Sequence, residues 1–142
     1  MLPNKKIIEQ LIEQINIAKN NDEIPVGAII YDKECNIISK SCNNRQQNNN
    51  ILGHAEINSI IAAEDKINDW RLDGYYMVVS LEPCEMCKSI IKESRINKVY
   101  YFLNNNKIST IEINQEKIDP RLFNKEYRFI EDILKEYFKS KR

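Results

Sequence analysis

Histidine occurs once in this sequence, glycine three times and tryptophan once, and 21 basic side chains are matched by 21 acidic ones. Each scarcity excludes something. One imidazole cannot supply a metal site that needs two. A net charge of zero argues against strong nonspecific binding to nucleic acid, leaving room only for a local basic patch. No run of about 18 apolar residues occurs, which excludes a transmembrane helix. The opening "MLPNKKIIEQL" lacks an apolar core followed by small residues, so no signal peptide is expected and a cytoplasmic protein is. Four cysteines are too few, in a reducing compartment, to suggest a disulfide framework. Asparagine, isoleucine and lysine are plentiful, a compositional bias that says nothing of chemistry but makes the single histidine more informative.

What is present is enough for one domain. A chain of 142 residues and 16.8 kDa, 42% hydrophobic and 30% charged, can bury a core without covalent staples. Residues 4–20 carry Ile7, Ile8, Leu11, Ile12, Ile15 and Ala18 at helical spacing. A β-branched run over residues 24–31, a turn at "DKEC" and the stretch "NIISKS" read as a hairpin. The asparagine-rich "CNNRQQNNNILG" reads as a loop, ordered and functional because it is short and abuts the histidine. A helix is expected from His54 to about Lys66, a strand at "YYMVVSL", and a helix opening at Pro83 and Cys84. "NKVYYFL" is a further strand. The connection after it holds at most one short strand, and a last helix runs from Glu126 to about Lys139. Strands alternating with helices predict an α/β layered fold with helices on both faces of a sheet.

Two motifs fall at helix starts. His54 and Glu56 open one helix; Cys84 and Cys87, three apart and therefore on one face, open another. Two thiols and an imidazole make three ligands for one zinc ion. A structural site is usually closed by four, whereas a catalytic site keeps a position for water. Glu56 is placed to shuttle protons beside that position without being a ligand. Helix N-termini favour thiolate over thiol. The plainer readings are a redox pair for Cys-x-x-Cys, a structural role for the histidine, and a closed zinc site with Cys42 as fourth ligand. Joined in this order, the motifs match the His-x-Glu and Pro-Cys-x-x-Cys signature of zinc-dependent nucleobase deaminases.

The stretches "DEIPVGAII", "NNR", "HAEINSI", "WRLDGYYMVVSLEPCEMC", "SRINKVYY" and "LKEYFKSKR" resemble the bacterial tRNA-specific adenosine deaminases, within the cytidine and deoxycytidylate deaminase-like superfamily. The resemblance implies a three-layer α/β/α fold around a mixed five-stranded sheet, one domain over residues 1–142, one Zn²⁺ per chain and a homodimer. It implies zinc at His54, Cys84 and Cys87, with Glu56 as proton shuttle. Asn44 would hydrogen-bond the nucleoside, Pro25 and Val26 would wall the base pocket, and the backbone of Ala55 would face the base. The substrate implied is the wobble adenosine of a tRNA anticodon loop, converted to inosine. The sequence departs from the family where a small pair usually follows the second cysteine: Lys88 and Ser89 stand there. "NNNKIS" brings Asn105 and Lys107 where aspartate, lysine and glycine are usual, and the segment ahead of the last helix is short.

Two other readings stay open at this level. One is a deaminase of a small substrate, such as guanine, cytosine, cytidine or deoxycytidylate. The other is a non-catalytic, zinc-stabilised RNA-binding module, which would have no use for Glu56. Lys5 and Lys6 near the start, and Lys135, Lys139, Lys141 and Arg142 near the end, are more simply a solvated face than an RNA surface.

Overall fold

The computed structural model describes residues 1–141. Arg142, counted above in the basic cluster, lies outside the described residues. Helix α1 (Lys5–Asn20) buries Ile7, Ile8, Leu11, Ile15 and Ala18 on one face. Asn4, expected to be helical, is instead its cap, the side chain accepting from the Ile7 N–H at 3.0 Å. Strand β1 (Gly27–Tyr31) is wholly buried. It begins three residues later than the β-branched run suggested. The Val26 N–H turns back to the Ile24 carbonyl at 2.7 Å, and Pro25 has no N–H to give a ladder.

A tight turn leads into β2 (Ile37–Cys42), its Asp32 carboxylate accepting from the N–H groups of Glu34 and Asn36, both at 2.9 Å. The chain continues through α2 (Ala55–Ile67), β3 (Tyr76–Leu81), α3 (Glu85–Ser94) and β4 (Lys98–Leu103). It ends with β5 (Gln115–Lys117) and α4 (Asn124–Ser140), which starts slightly ahead of the expected residue.

The five strands form one mixed sheet in the order β2-β1-β3-β4-β5. β1 runs antiparallel to both its neighbours, while β3, β4 and β5 are parallel. α1 packs on β1, β2 and β3 and touches α4; α2 packs on β1 and β2 and touches α3. The expected three-layer α/β/α architecture is therefore the observed one. Its core joins Tyr31, Ile29, Ile30, Met77 and Phe102 of the sheet, with Ile118 just past β5, to the inner faces of the helices. Each buried aliphatic or aromatic side chain of this kind contributes roughly 1.5–3 kcal/mol relative to exposure. No helix among the described residues is long and apolar enough to cross a membrane.

This topology decides where chemistry can sit. The parallel pair β3 and β4 is joined through α3, so the turn leaving β3 opens a crevice beyond the strand's carboxyl end. Helices α2 and α3 lie side by side, and both motif-bearing starts meet at that crevice.

Candidate metal centre

His54 is the N-cap of α2, extended at φ −97° and ψ 144°, and its side chain makes no capping bond. The ring is thus free to face the neighbouring helix. The cap's work passes to Asn43, whose Oδ1 accepts from the buried Ala55 N–H at 2.7 Å. Glu56 follows in the first turn of α2, 4% exposed. On the other side Cys84 is the N-cap of α3, extended at φ −73° and ψ 174° behind Pro83. Its carbonyl accepts from the Lys88 N–H at 2.8 Å, and Cys87, one turn in, is fully buried.

The loop before His54 is drawn tight by its glycine. Gly53 gives its carbonyl to the Asn44 N–H at 2.9 Å, and a Cβ there would lie 2.6 Å from the backbone of Arg45. Glu23, buried at the rim, accepts from the N–H groups of Gln46 at 3.0 Å and Gln47 at 2.7 Å. These bonds fix the asparagine-rich loop as an ordered one.

The two motifs converge. The Nδ1 of His54 lies 3.4 Å from Cys87 Sγ and 3.8 Å from Cys84 Sγ, and one ligand atom from each of the three residues falls within 4.8 Å of the others. Bonds from Cys87 and His54 draw the Cys84 thiol down to about 3, while the bond between the two cysteines and burial push Cys87 up. His54 is raised by its bond to Cys84 against the opposing effect of burial. Burial also pushes the Glu56 carboxyl up to about 7, into the range useful for both taking and giving a proton.

Two sulfurs and one imidazole nitrogen suit zinc, which takes its cysteine ligands as thiolates. Cys42, the alternative fourth ligand, ends β2 and is not in the cluster. Among the described residues the group is three-membered, the ligand number of an open site.

His54, Glu56, Cys84, Val26, Asn43 and Arg45 line one cavity of about 1060 Å³. The remaining sequence-derived residues stand slightly back from it. Pro25 is buried beside Val26, Ala55 is fully buried with its N–H taken by Asn43, and Asn44 Oδ1 accepts from Asn58 Nδ2 at 2.9 Å. Sequence reasoning missed Asn43, which is indistinguishable by type from Asn44, and Glu23, which looks like part of a polar linker. It also missed what Lys88 does: this lysine is buried and bonded to Glu82 at 3.0 Å.

The profile of the cytidine and deoxycytidylate deaminase zinc-binding region matches residues 1–103. A tRNA-specific adenosine deaminase of Rickettsia bellii is 41% identical over 108 residues, 75% of this chain and 74% of that protein. One of Bacillus subtilis is 31% identical over 101 residues, 71% of this chain and 62% of that protein. A solved structure from work on A-to-I editing by tRNA:A34 deaminases at the wobble position superposes with a TM-score of 0.78 at 26% identity, covering 89% of this chain and 99% of that one. A guanine deaminase of Nitrosomonas europaea shares the fold, with a TM-score of 0.74 at 18% identity over 96% of this chain and 86% of its own. With three convergent zinc-type ligands, a buried carboxylate beside them and these relatives, the chain is a zinc-dependent deaminase that belongs to the cytidine and deoxycytidylate deaminase family and, within it, to the tRNA-specific adenosine deaminases.

Proposed function

We propose that this chain, as one domain, converts adenosine to inosine at the wobble position of a tRNA anticodon. The chemistry rests on Glu56, a buried carboxylate with its pKa raised to about 7 beside three zinc-type ligands. The substrate rests on the cavity. At about 1060 Å³ it is larger than one base requires, and Arg45, Lys107, Lys117, Lys135 and Lys139 reach it from four different segments. Four glutamates line it too, Glu131 paired with Lys135 at 3.8 Å, and the remaining cations suit a phosphodiester chain around a flipped-out base.

His54 Nδ1 and the sulfurs of Cys84 and Cys87 hold one zinc ion per chain. When bound, zinc supplies Lewis acidity that makes a water molecule a nucleophile near neutral pH. The net reaction adds the oxygen of water to C6 of adenine and releases the amino group as ammonia. A Glu56 carboxylate oxygen accepts one proton of that water and passes it to N1 of the ring. It then takes the second from the oxygen now on C6 and gives it to the departing nitrogen, so that both protons of the water are accounted for. One group serves as base and acid, because burial holds it near the middle of the pH range. Val26 walls the base with Pro25 buried behind it, and Asn44 and the fully buried Ala55 support the pocket from behind its lining. The protein works in the cytoplasm, where tRNA is modified, and as a homodimer.

The test is deamination by zinc-loaded protein of an anticodon stem-loop with adenosine at the wobble position. Free guanine, cytosine, cytidine and deoxycytidylate run in parallel. Inosine in the stem-loop, with the small substrates untouched, is the expected result. Ammonia from a small substrate alone overturns the tRNA assignment and leaves the chemistry standing.

A further inference from the structure

Lys88 follows a fully buried cysteine and is itself only 4% exposed, an unusual place for an ammonium group. Its Nζ donates to Glu82 Oε2 at 3.0 Å. The same oxygen accepts from Gln115 Nε2 at 3.0 Å, and Glu82 Oε1 accepts from the Asn105 N–H at 3.4 Å. Asn105 reaches back, its Nδ2 donating to the carbonyls of Glu82 at 3.2 Å and Pro83 at 3.1 Å. Glu82 governs this arrangement. Gln115 is turned so that its Oε1 is buried without a partner, and the opposite orientation would set that oxygen against the carboxylate.

Residues 104–112 contribute nothing to the hydrophobic core and depend on polar ties such as these, whereas Ile113 packs against the core. Beneath them runs a polar groove of about 460 Å³ lined by Glu82, Lys88, Ser109 and Gln115, and Ile108 above it is 96% exposed. A second tie comes from Glu85, whose carboxylate accepts from Ser109 Oγ, from the Thr110 N–H at 2.9 Å and from the Ile111 N–H at 3.4 Å. The two carboxylates flank Pro83 and Cys84; Glu82 restrains Asn105, within the stretch Asn104–Lys107 that forms a wall of the substrate cavity, and Glu85 holds the residues just beyond it.

We propose that Lys88 is a positioning residue for substrate. By compensating Glu82 it keeps that carboxylate turned inward on Asn105, and so fixes the 104–107 wall relative to Cys84. Lys88 touches neither substrate nor reacting atoms. Without the Lys88 charge Glu82 is a half-buried carboxylate left with neutral donors alone, and it turns to water and releases the wall. The inference rests on the deaminase reading for its kinetic consequence, but not for its structural one.

The test uses full-length, zinc-loaded Lys88→Met, Asn105→Ala and the double variant. Lys88→Met is expected to keep one zinc per chain and a kcat within about twofold of the parent while KM for the stem-loop rises about tenfold, a loss of positioning and not of chemistry. Hydrogen exchange at residues 104–111 is expected to quicken at least about tenfold with β3 and β4 unchanged, the mark of a local release. The KM effects of the two single changes should combine to well below their product, because the residues act through one carboxylate. Lys88→Gln, which retains an N–H donor for Glu82, should show the same pattern to a smaller degree, and it carries the test if Lys88→Met fails to fold. An unchanged KM, loss of zinc, exchange that quickens equally across β3 and β4, or independent effects overturn the proposal. If the parent protein leaves the stem-loop unchanged, the tRNA reading fails, and the exchange pattern alone decides the role of Lys88.

Discussion

Burial does more than any neighbouring charge to set the proton affinity of Glu56, and it raises the carboxyl to about 7. Glutamine has nearly the same shape and cannot carry a proton between two atoms. Glu56→Gln should therefore keep its zinc, measured by atomic absorption, while turnover falls by about 10²–10⁴-fold, the usual contribution of a general acid–base. Loss of zinc in that variant would mean that the carboxylate is a ligand. Asn43 presents the opposite case, a residue with no chemistry and a large structural duty. Asn43→Ala leaves the buried Ala55 N–H without an acceptor and should cost about 1–3 kcal/mol in denaturant unfolding. His54 could itself have capped α2, but a ring aimed at two thiols cannot also serve its own helix.

At the scale of elements, the segments around the site divide by how their shape is determined. The asparagine-rich loop depends on backbone approach at Gly53, where a methyl group would meet Arg45. Gly74 has a positive φ of 83° but open space around it. Gly53→Ala should raise KM severalfold by displacing Arg45 from the cavity, whereas Gly74→Ala should leave kinetics unchanged and cost about 1–2 kcal/mol of stability from backbone strain alone. Steady-state kinetics beside thermal unfolding separate the two. The same division governs what the sequence disclosed. The four helices and the strands β1 to β4 were legible because their apolar spacing is dictated by the faces they bury. β5 was legible only as a short possibility, since three residues, one half-buried and two exposed, carry no period. His54, Glu56, Cys84 and Cys87 were legible because metal chemistry restricts both residue type and spacing. Asn43, Glu23 and Lys88 were not, because each is of a kind found anywhere on a surface and acts through a partner that no helical or strand period links to it.

For the whole molecule, the metal is a tie between two helices and should be read out as stability. Ligand binding to the folded state alone contributes about 4 kcal/mol when free metal is a thousandfold above its dissociation constant. Chelation should lower the melting temperature of the parent protein, and restored zinc should return it. His54→Ala and Cys87→Ala should melt at the chelated value with or without added zinc. The sheet order gives that tie a further meaning. β1 pairs with β3 across a wide gap in sequence, Ala28 opposite Val79, and the two cysteines follow directly after β3. Two of the three ligands therefore cannot approach His54 until the central strand has taken its place between β1 and β4. In refolding, zinc uptake becomes a clock for completion of the sheet. Metal capture should lag the formation of helical signal and coincide with the slow, non-local pairing step.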